Sequence, residues 1–392
     1  MEKIRYFDYA ATTAVDDQVL KEMLPYFSIK YGNPSSLYSI GRKSKKAIEE
    51  ARKRVSSAIN AKPKEIVFTG CGSESDNIAL KGIAYANKNK GNHIITTKIE
   101  HSAILNSCKL LEKEGFNVTY LDVDENGLIS LEELKSKITN KTILISVMFA
   151  NNEIGTIQPI EEIGKIAREK NIIFHTDGVQ AIGNINIDVQ RMNIDLLSIS
   201  AHKFYGPKGV GALYIREGIN CSRLQDGGHQ EKNMRAGTEN VSGIVGLGKA
   251  IQIATEDLNK NNYRIKILRD YYEMLIRKNI PHIKFNGHRS KRLPGNSNIS
   301  FEFIDGETLL LKLDEKGICV STGSACSSGN QNPSHVLLAI GLEETKAKGS
   351  LRVTLGKENT KEDVDFLVQA LIEIVNELRN VSPKYLEFVK NK

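Results

Sequence analysis

The chain has 392 residues, of which 40% are hydrophobic and 26% are charged, the composition of an ordinary soluble globular protein. This length fits one large and one smaller domain and excludes a short binding module. The net charge of +7 is spread thinly along the chain, so we expect no direct nucleic-acid binding. We find no run of about 18 apolar residues, as a membrane helix requires. The polar start of the chain lacks an export signal, so a cytoplasmic location is the default expectation.

The five cysteines fit neither a disulfide framework nor a zinc site. They are odd in number and widely scattered, and no CxxC or HExxH motif occurs. We therefore expect no metal. The cysteines are Cys71, Cys108, Cys221, Cys319 and Cys326.

Over the first 250 residues, segments rich in β-branched and apolar residues alternate with segments of helical period. This pattern predicts an α/β fold with a mostly parallel, seven-stranded sheet covered by helices. The predicted strands are 65–69, 93–97, 117–121, 142–147, 172–176, 195–200 and 210–215. The helices predicted between them include 75–87, 103–114 and 160–170.

The remaining sequence predicts a smaller α+β domain. It begins with a long proline-free stretch of helical periodicity that can bridge two domains, residues 241–278. The elements predicted after it are a strand near 298–303, a helix near 306–316, a strand near 351–354 and a helix over 361–379.

From this order of elements we expect a large domain over 15–255. The small domain combines 1–14 with 256–392. Within it, the stretch 321–333 is rich in Ser, Gly and Asn, which predicts a mobile loop.

The turn Gly70-Cys71-Gly72-Ser73 follows a predicted strand and opens a predicted helix. Glycine lets the backbone approach a ligand, and the free N–H groups at a helix start bind phosphate. The spacing of Ser73 and Asp76 also fits a capping box. Taken alone, this turn leaves a phosphate site and a plain helix start equally open.

Lys203 and Asp177 each follow a predicted strand. A lysine at the carboxyl edge of a parallel sheet can bond to an aldehyde cofactor, although a single loop lysine is usually a solvated charge. An acid at a strand end can pair with the ring nitrogen of pyridoxal 5'-phosphate (PLP), or it can cap a helix. A phosphate-binding turn, a strand-end Asp and a strand-end Lys, in this order, favour a PLP site.

Several further motifs occur in order along nearly the whole chain, from about residue 5 to residue 385. They are 8–13 (DYAATT), 32–36 (GNPSS), 100–103 (EHSA), 151–155 (NNEIG), 202–203 (HK), 234–238 (MRAGT) and 323–326 (GSAC). Together they resemble the motifs of the cysteine desulfurases of the NifS/IscS type. The resemblance implies a fold-type I, PLP-dependent homodimer that converts L-cysteine to L-alanine and keeps the sulfur as an enzyme persulfide. It also implies a sulfur acceptor, either an iron–sulfur scaffold protein or a tRNA-thiolation enzyme.

The resemblance assigns a role to each matching residue. Lys203 would hold PLP, Asp177 its ring nitrogen, and His101 would stack on the ring and move protons. Asn152 and Gln180 would lie at the phenolic oxygen. The residues implied to bind the phosphate are Gly72, Ser73, Ser200 and His202, with Thr238 of the partner subunit.

The same resemblance assigns the substrate carboxylate to Arg352, with Asn152 beside it, and a forked guanidinium suits a carboxylate. Thr238 ends a polar turn, 235–238, with no evident partner in its own subunit, which agrees with a shared site. We therefore expect the homodimer to be obligate.

The cysteines differ in their surroundings. Cys326 lies in the Ser/Gly-rich stretch without an apolar face to bury it, and we interpret it as the nucleophile that accepts sulfur. Cys71 lies in a turn that departs from the pattern Ser-Gly-Ala-Thr common among relatives. We interpret it as a small buried filler, with a second reactive thiol as the alternative. The others are interpreted as structural: Cys108, Cys221 and Cys319.

Two alternative functions stay open on the sequence. A selenocysteine lyase or an aminotransferase could use the same fold, although a plain aminotransferase has no need of Cys326. A non-catalytic interaction protein could also keep this fold without turnover, but the joint presence of Lys203, Asp177, His101 and Arg352 argues against it.

Overall fold

The computed structural model describes residues 4–322 and 333–391. Cys326 and most of the predicted loop over 321–333 therefore lie outside the described residues. The described strands are β1 (Arg5–Tyr6), β2 (Ile66–Thr69), β3 (His93–Thr97), β4 (Asn117–Leu121), β5 (Thr142–Ser146), β6 (Ile173–Asp177), β7 (Leu196–Ser200), β8 (Gly211–Ile215), β9 (Ile283–Asn286), β10 (Asn296–Phe301), β11 (Ile318–Cys319) and β12 (Ser350–Thr354).

The described α-helices lie between and after these strands. They are α1 (Asp17–Met23), α2 (Pro25–Ser28), α3 (Ser39–Ala58), α4 (Gly72–Ala86), α5 (Ser102–Lys113), α6 (Leu131–Lys137), α7 (Ile160–Glu169), α8 (Val241–Glu256), α9 (Leu258–Asn279), α10 (Gly306–Glu315), α11 (His335–Ala339), α12 (Glu344–Lys348), α13 (Lys361–Asn380) and α14 (Pro383–Lys390). None of them is long and apolar enough to cross a membrane.

Seven strands form one sheet in the order β2-β8-β7-β6-β5-β3-β4. β8 runs antiparallel to both of its neighbours, and the remaining neighbours are parallel. The α/β class and the mostly parallel seven-stranded sheet are therefore confirmed. Strands β5 and β7 are buried along their whole length, which explains why they read as continuous apolar runs in the sequence.

A smaller antiparallel sheet has the order β12-β10-β9, and β1 pairs with β11. An apolar core lies between this sheet and the helices α9, α10 and α13, and Phe7 from the start of the chain packs into it. The predicted domain boundaries, 15–255 against 1–14 and 256–392, stay a prediction.

The helix predicted over 241–278 is interrupted. α8 ends at Glu256 and α9 begins at Leu258, because Asp257 between them has φ −107° and ψ 19°. α8 packs against α3, whereas α9 packs against α13. Because of the break, the two consecutive helices pack in two different cores. Local sequence periodicity does not reveal such a break.

The parallel arrangement brings four chain segments to the same edge of the large sheet. β6 ends at Asp177 and β7 ends at Ser200, while α4 begins at Gly72 and α5 at Ser102. Ligands of open α/β sheets bind at this edge, outside the carboxyl ends of the strands. β12 of the small sheet closes the opposite side of the same space through Arg352.

Candidate active site

A cavity of about 400 Å³ lies at this edge of the large sheet. The structure brings nearly all of the site residues predicted from the sequence to its wall. They are Gly72, Ser73, His101, Asn152, Asp177, Gln180, Ser200, His202, Lys203 and Arg352. Thr238 is exposed and does not line the cavity.

One end of the cavity is formed by the start of α4. A Cβ atom on Gly72 would lie 2.7 Å from Val179 Cγ2 and 3.3 Å from Ser200 Cβ, so glycine permits this close approach. The N-cap residue Cys71 makes no side-chain capping hydrogen bond. Free N–H groups and the positive end of the helix dipole favour an anion here. The capping box suggested for Ser73 and Asp76 is wrong, because the helix already begins at Gly72.

Asp177 is 7% exposed at the carboxyl end of β6. Its Oδ1 accepts a hydrogen bond of 2.9 Å from the backbone N–H of Val179. Burial raises the pKa of Asp177, whereas the charges of His101 and Lys203 lower it. A further cation close to this carboxylate would keep it ionised.

Behind Asp177 lies a buried polar network that the sequence analysis missed. His175 Nδ1 lies 2.8 Å from Ser146 Oγ, and its Nε2 lies 3.0 Å from Ser198 Oγ and 3.8 Å from Asp76 Oδ1. Burial lowers the pKa of His175 to about 3, so this imidazole is neutral. Burial, followed by the charge of Asp177, raises the pKa of Asp76 well above its usual range. The position of His175, two residues before Asp177 on one strand face, was the available signal.

Lys203 is held by the N-terminal segment. Its Nζ donates to the carbonyl oxygens of Ala10 at 2.6 Å and Ala11 at 2.7 Å. Gln180 Nε2 donates to the Ala10 carbonyl as well, at 2.9 Å. The motif at 8–13 therefore carries backbone acceptors for the amine.

His202 contacts the same segment through Nδ1, which lies 3.1 Å from Thr12 Oγ1. Burial, followed by the charges of Lys203 and Lys208, lowers the pKa of His202 to about 4. The ring is therefore neutral at physiological pH and offers an anion one N–H donor rather than a full charge.

His101 is the N-cap of α5, and its Nδ1 accepts a hydrogen bond of 3.2 Å from the backbone N–H of Ala103. The helix start thus fixes the position of the ring at the cavity wall.

Arg352 extends from β12 into the cavity and is 3% exposed. One Nη donates to Asp8 Oδ1 at 2.7 Å, and the other donates to the carbonyl oxygen of Asn152 at 3.1 Å. Asp8 belongs to the motif at 8–13, but the sequence alone assigned it no role.

The comparisons with known proteins agree with this geometry. Residues 5–367 match the aminotransferase class-V family. The chain is 59% identical to the cysteine desulfurase IscS of Clostridium botulinum over 394 residues, covering 100% of this chain and 99% of the relative. It is 56% identical to the cysteine desulfurase IscS of Methanosarcina thermophila, covering 97% and 94%.

Solved structures give the same result. A structure described as a NifS-like protein superposes with a TM-score of 0.90 at 40% identity, covering 95% of this chain and 100% of that one. A structure described as SspA in complex with cysteine superposes with a TM-score of 0.80 at 39% identity, covering 91% of this chain and 100% of that one.

The chain belongs to the aminotransferase class-V family. Members of this family depend on PLP, and the fold is that of fold-type I PLP enzymes. The cavity has matching groups: a buried acid for the ring nitrogen (Asp177), an amine for the aldehyde carbon (Lys203), and, for the phosphate, the helix start at Gly72 with the hydroxyl groups of Ser73 and Ser200. The residues present therefore fit PLP.

Two expectations about single residues need correction. Cys71 is exposed and lines the cavity, so its interpretation as a buried filler is wrong. The turn at 235–238 does have a partner in its own subunit, because Arg235 Nε donates to Glu74 Oε1 of α4 at 2.9 Å. The role predicted for Cys326 lies outside the described residues and stays a prediction.

Proposed function

We propose that this protein is a PLP-dependent cysteine desulfurase that converts L-cysteine to L-alanine and transfers the sulfur to Cys326. The observation that carries the proposal is the joint presence of Asp177, Lys203 and Arg352 at one cavity. These side chains suit the ring nitrogen of PLP, its aldehyde and a substrate carboxylate, respectively. Relatives that match this chain over nearly its whole length bear the name cysteine desulfurase.

When bound, PLP supplies an electron-withdrawing ring that acidifies the Cα–H of an amino acid. Asp177 would hold a proton at the ring nitrogen, because its carboxylate is the buried acid at that end of β6. Lys203 Nζ would take the Cα proton and return it, and His101 would orient against the ring and move a second proton. Arg352 and Asn152 would hold the substrate carboxylate, which fixes the direction of the side-chain sulfur.

Sulfur transfer would use the thiolate of Cys326. Its sulfur attacks the substrate sulfur, an S–S bond forms, and the Cβ–S bond of the substrate breaks. The electron pair stays on the carbon skeleton and takes up a proton, which yields alanine. One L-cysteine and one enzyme thiol thus give one L-alanine and one enzyme persulfide, without an external oxidant.

We further propose that the protein acts as a cytoplasmic homodimer, with Thr238 completing the phosphate site of the partner subunit. The persulfide would pass to an iron–sulfur scaffold protein or a tRNA-thiolation enzyme. A reducing compartment suits this chemistry, because thiols stay free there.

The test is to incubate the PLP-loaded protein with L-cysteine and a reductant and to measure alanine and sulfide together. We expect equal amounts of both products. Cys326→Ser should keep the yellow cofactor absorbance and the spectral response to L-cysteine, but alanine formation should collapse, because a hydroxyl is too weakly acidic to attack sulfur. Cys319→Ser, in β11, is the matched control and should keep the parental rate.

Two results would contradict the proposal. A wild-type protein that consumes L-cysteine without alanine is not a desulfurase. A Cys326→Ser variant that releases alanine and sulfide at the parental rate would point to a lyase that expels sulfide directly.

A further inference from the structure

The guanidinium of Arg352 already has an anionic partner before any substrate is considered. It is 3% exposed and donates to Asp8 Oδ1 at 2.7 Å and to the Asn152 carbonyl at 3.1 Å. Its Nε is buried and has no hydrogen-bond partner among the described residues. A guanidinium has five N–H donors, so the contacts to Asp8 and Asn152 leave donors for one further acceptor.

The backbone of Asp8 is fixed in place. Its carbonyl oxygen accepts from the Tyr6 hydroxyl at 2.9 Å and from the Ala11 N–H at 3.0 Å. The carbonyls of Ala10 and Ala11 in the same turn hold Lys203 Nζ. The Asp8 side chain itself lines the cavity and is 16% exposed. Its carboxylate can therefore leave Arg352 by side-chain rotation alone, without disturbing the turn that holds Lys203.

We propose that Asp8 is a built-in counter-ion of Arg352 that competes with the substrate carboxylate and so sets the affinity of the site for carboxylate ligands. The inference deepens the proposed function, since it takes Arg352 as the group that binds the substrate carboxylate. Asp8 is a positioning residue, because it acts on the substrate through Arg352.

The competition follows from electrostatics at short range. Two carboxylates bound to one guanidinium lie close to each other, and their repulsion is strong where little water screens it. Without Asp8, however, the buried guanidinium would lose the carboxylate that is hydrogen-bonded to it, which is unfavourable. Asp8 thus stabilises the site between turnovers. The incoming substrate carboxylate must either displace Asp8 from Arg352 or share Arg352 with it.

The decisive substitution is Asp8→Asn, which keeps the shape and one acceptor oxygen but removes the negative charge. The probes are 3-mercaptopropionate and its neutral analogue 3-mercapto-1-propanol, both of which lack an amine. Binding to the PLP-loaded protein is measured by calorimetry, so the result does not depend on turnover. We expect Asp8→Asn to tighten 3-mercaptopropionate about tenfold, leave the alcohol unchanged, and lower KM for L-cysteine without raising kcat.

The control is Asp16→Asn, in the same N-terminal segment. Asp16 pairs with Lys357 and does not line the active-site cavity, so this variant should bind both probes like the parent. Asp8→Ser, which also removes the charge, tests the same expectation if Asp8→Asn does not fold. Asp8→Glu keeps a negative charge at position 8, so its affinity for 3-mercaptopropionate should stay near the parental value.

The proposal is overturned if neutral residues at position 8 leave the affinity for 3-mercaptopropionate unchanged or weaken it. That result would make Asp8 a purely structural support of Arg352. It is also overturned if the neutral alcohol tightens equally, because the effect would then not depend on charge. Failure of the proposed function would give a different result. No alanine would form, but Asp8→Asn would still tighten the binding of 3-mercaptopropionate and not that of the alcohol.

Discussion

The carboxyl group of Glu100, directly before His101, is buried, and the charge of Asp177 acts on it. Its Oε1 accepts from the Thr97 hydroxyl at 2.8 Å and from the Met148 N–H at 2.9 Å, while Oε2 has no partner among the described residues. Burial raises the pKa of Glu100 from its ordinary value of 4.5 to about 8. The folded protein therefore holds this acid protonated at neutral pH, which agrees with an oxygen that has no donor facing it.

This protonation makes the stability of the fold depend on pH. Between pH 4.5 and pH 8 the folded chain keeps the proton while the unfolded chain has lost it. The free energy of unfolding should therefore fall as pH rises through this window, by at most about 1.4 kcal/mol per pH unit from this group. Below the window both states are protonated, and above it both are ionised, so the contribution stays constant.

Glu100→Gln should remove this dependence. The amide oxygen can keep the hydrogen bonds from Thr97 and Met148, and the neutral amide does not titrate between pH 4.5 and pH 8. The free energy of unfolding of both proteins is measured by urea denaturation. The value for the variant should increase relative to that of the parent as pH rises from 5 to 8. The exposed Glu125→Gln serves as the control and should show no such trend. A difference between Glu100→Gln and the parent that is flat over this range would refute the protonated state of Glu100.

At the scale of elements, the contact between α3 and α8 depends on glycine. A Cβ on Gly248 would lie 2.7 Å from both Cα and Cβ of Ala51 in α3, which leaves no room unless the helices move apart. A Cβ on Gly246, in the same helix, would lie 2.6 Å from Met23 Sδ and 2.9 Å from both Met23 Cγ and Pro207 Cγ, all of them side-chain atoms. The two glycines therefore form a matched pair on one helix.

We expect Gly248→Ala to destabilise the protein by about 1–3 kcal/mol through overpacking. Gly246→Ala should cost less than Gly248→Ala, because its new contacts are with the side chains of Met23 and Pro207 rather than with the Cα of a facing helix. Thermal unfolding of the PLP-loaded variants measures the difference. Equal melting temperatures for the two would mean that α3 and α8 adjust freely, contrary to the packing described here.

The sequence was informative where local pattern and structure coincide. The predicted strands 93–97 and 117–121 match β3 and β4 in both bounds, although β3 is buried along its whole length and the edge strand β4 is only partly buried. β1 and β11 were missed, since two-residue strands that pair across the length of the chain leave no local signal. The break at Asp257 was missed for a similar reason: it serves packing against two different cores.

The candidate site follows the same rule. Many of the predicted residues line the cavity, and Gly72, His101, Asp177 and Ser200 each lie at a helix start or a strand end. The Asp8–Arg352 ion pair and the contact between Asp76 and His175 join distant parts of the chain, so spacing could not reveal them. The exposure of Cys71 was predicted wrongly because residue type alone favours burial.

At the scale of the whole molecule, the exposed surface supports the proposed homodimer. Large apolar side chains are exposed along one N-terminal stretch, including Leu24, Phe27, Ile29, Tyr31 and Leu37. Exposed apolar surface of this kind is typical of association sites. Light scattering should then give about twice the chain mass of 43.6 kDa.

Thr238 allows a sharper test of the shared site. It is exposed and lies outside the cavity of its own subunit, although Arg235 anchors the preceding turn to α4. Thr238→Asp places a negative charge where the phosphate of the partner site is expected, and Lys203→Ala removes the amine that holds PLP. Each variant alone should be inactive.

Borohydride reduction and peptide mapping should locate the cofactor label on Lys203 in the parent and find none in Lys203→Ala.

Mixing the two variants under subunit exchange distinguishes a shared site from a local one. If Thr238 acts on the partner, a hybrid dimer has one site with Lys203 from one chain and Thr238 from the other, both intact. Random pairing then restores about a quarter of the parental activity, since half of the dimers are hybrids and each has one intact site of two. If Thr238 served its own subunit, both sites of every hybrid would carry a lesion and no activity would return. Recovery in the mixture therefore requires that the phosphate site is built from two chains.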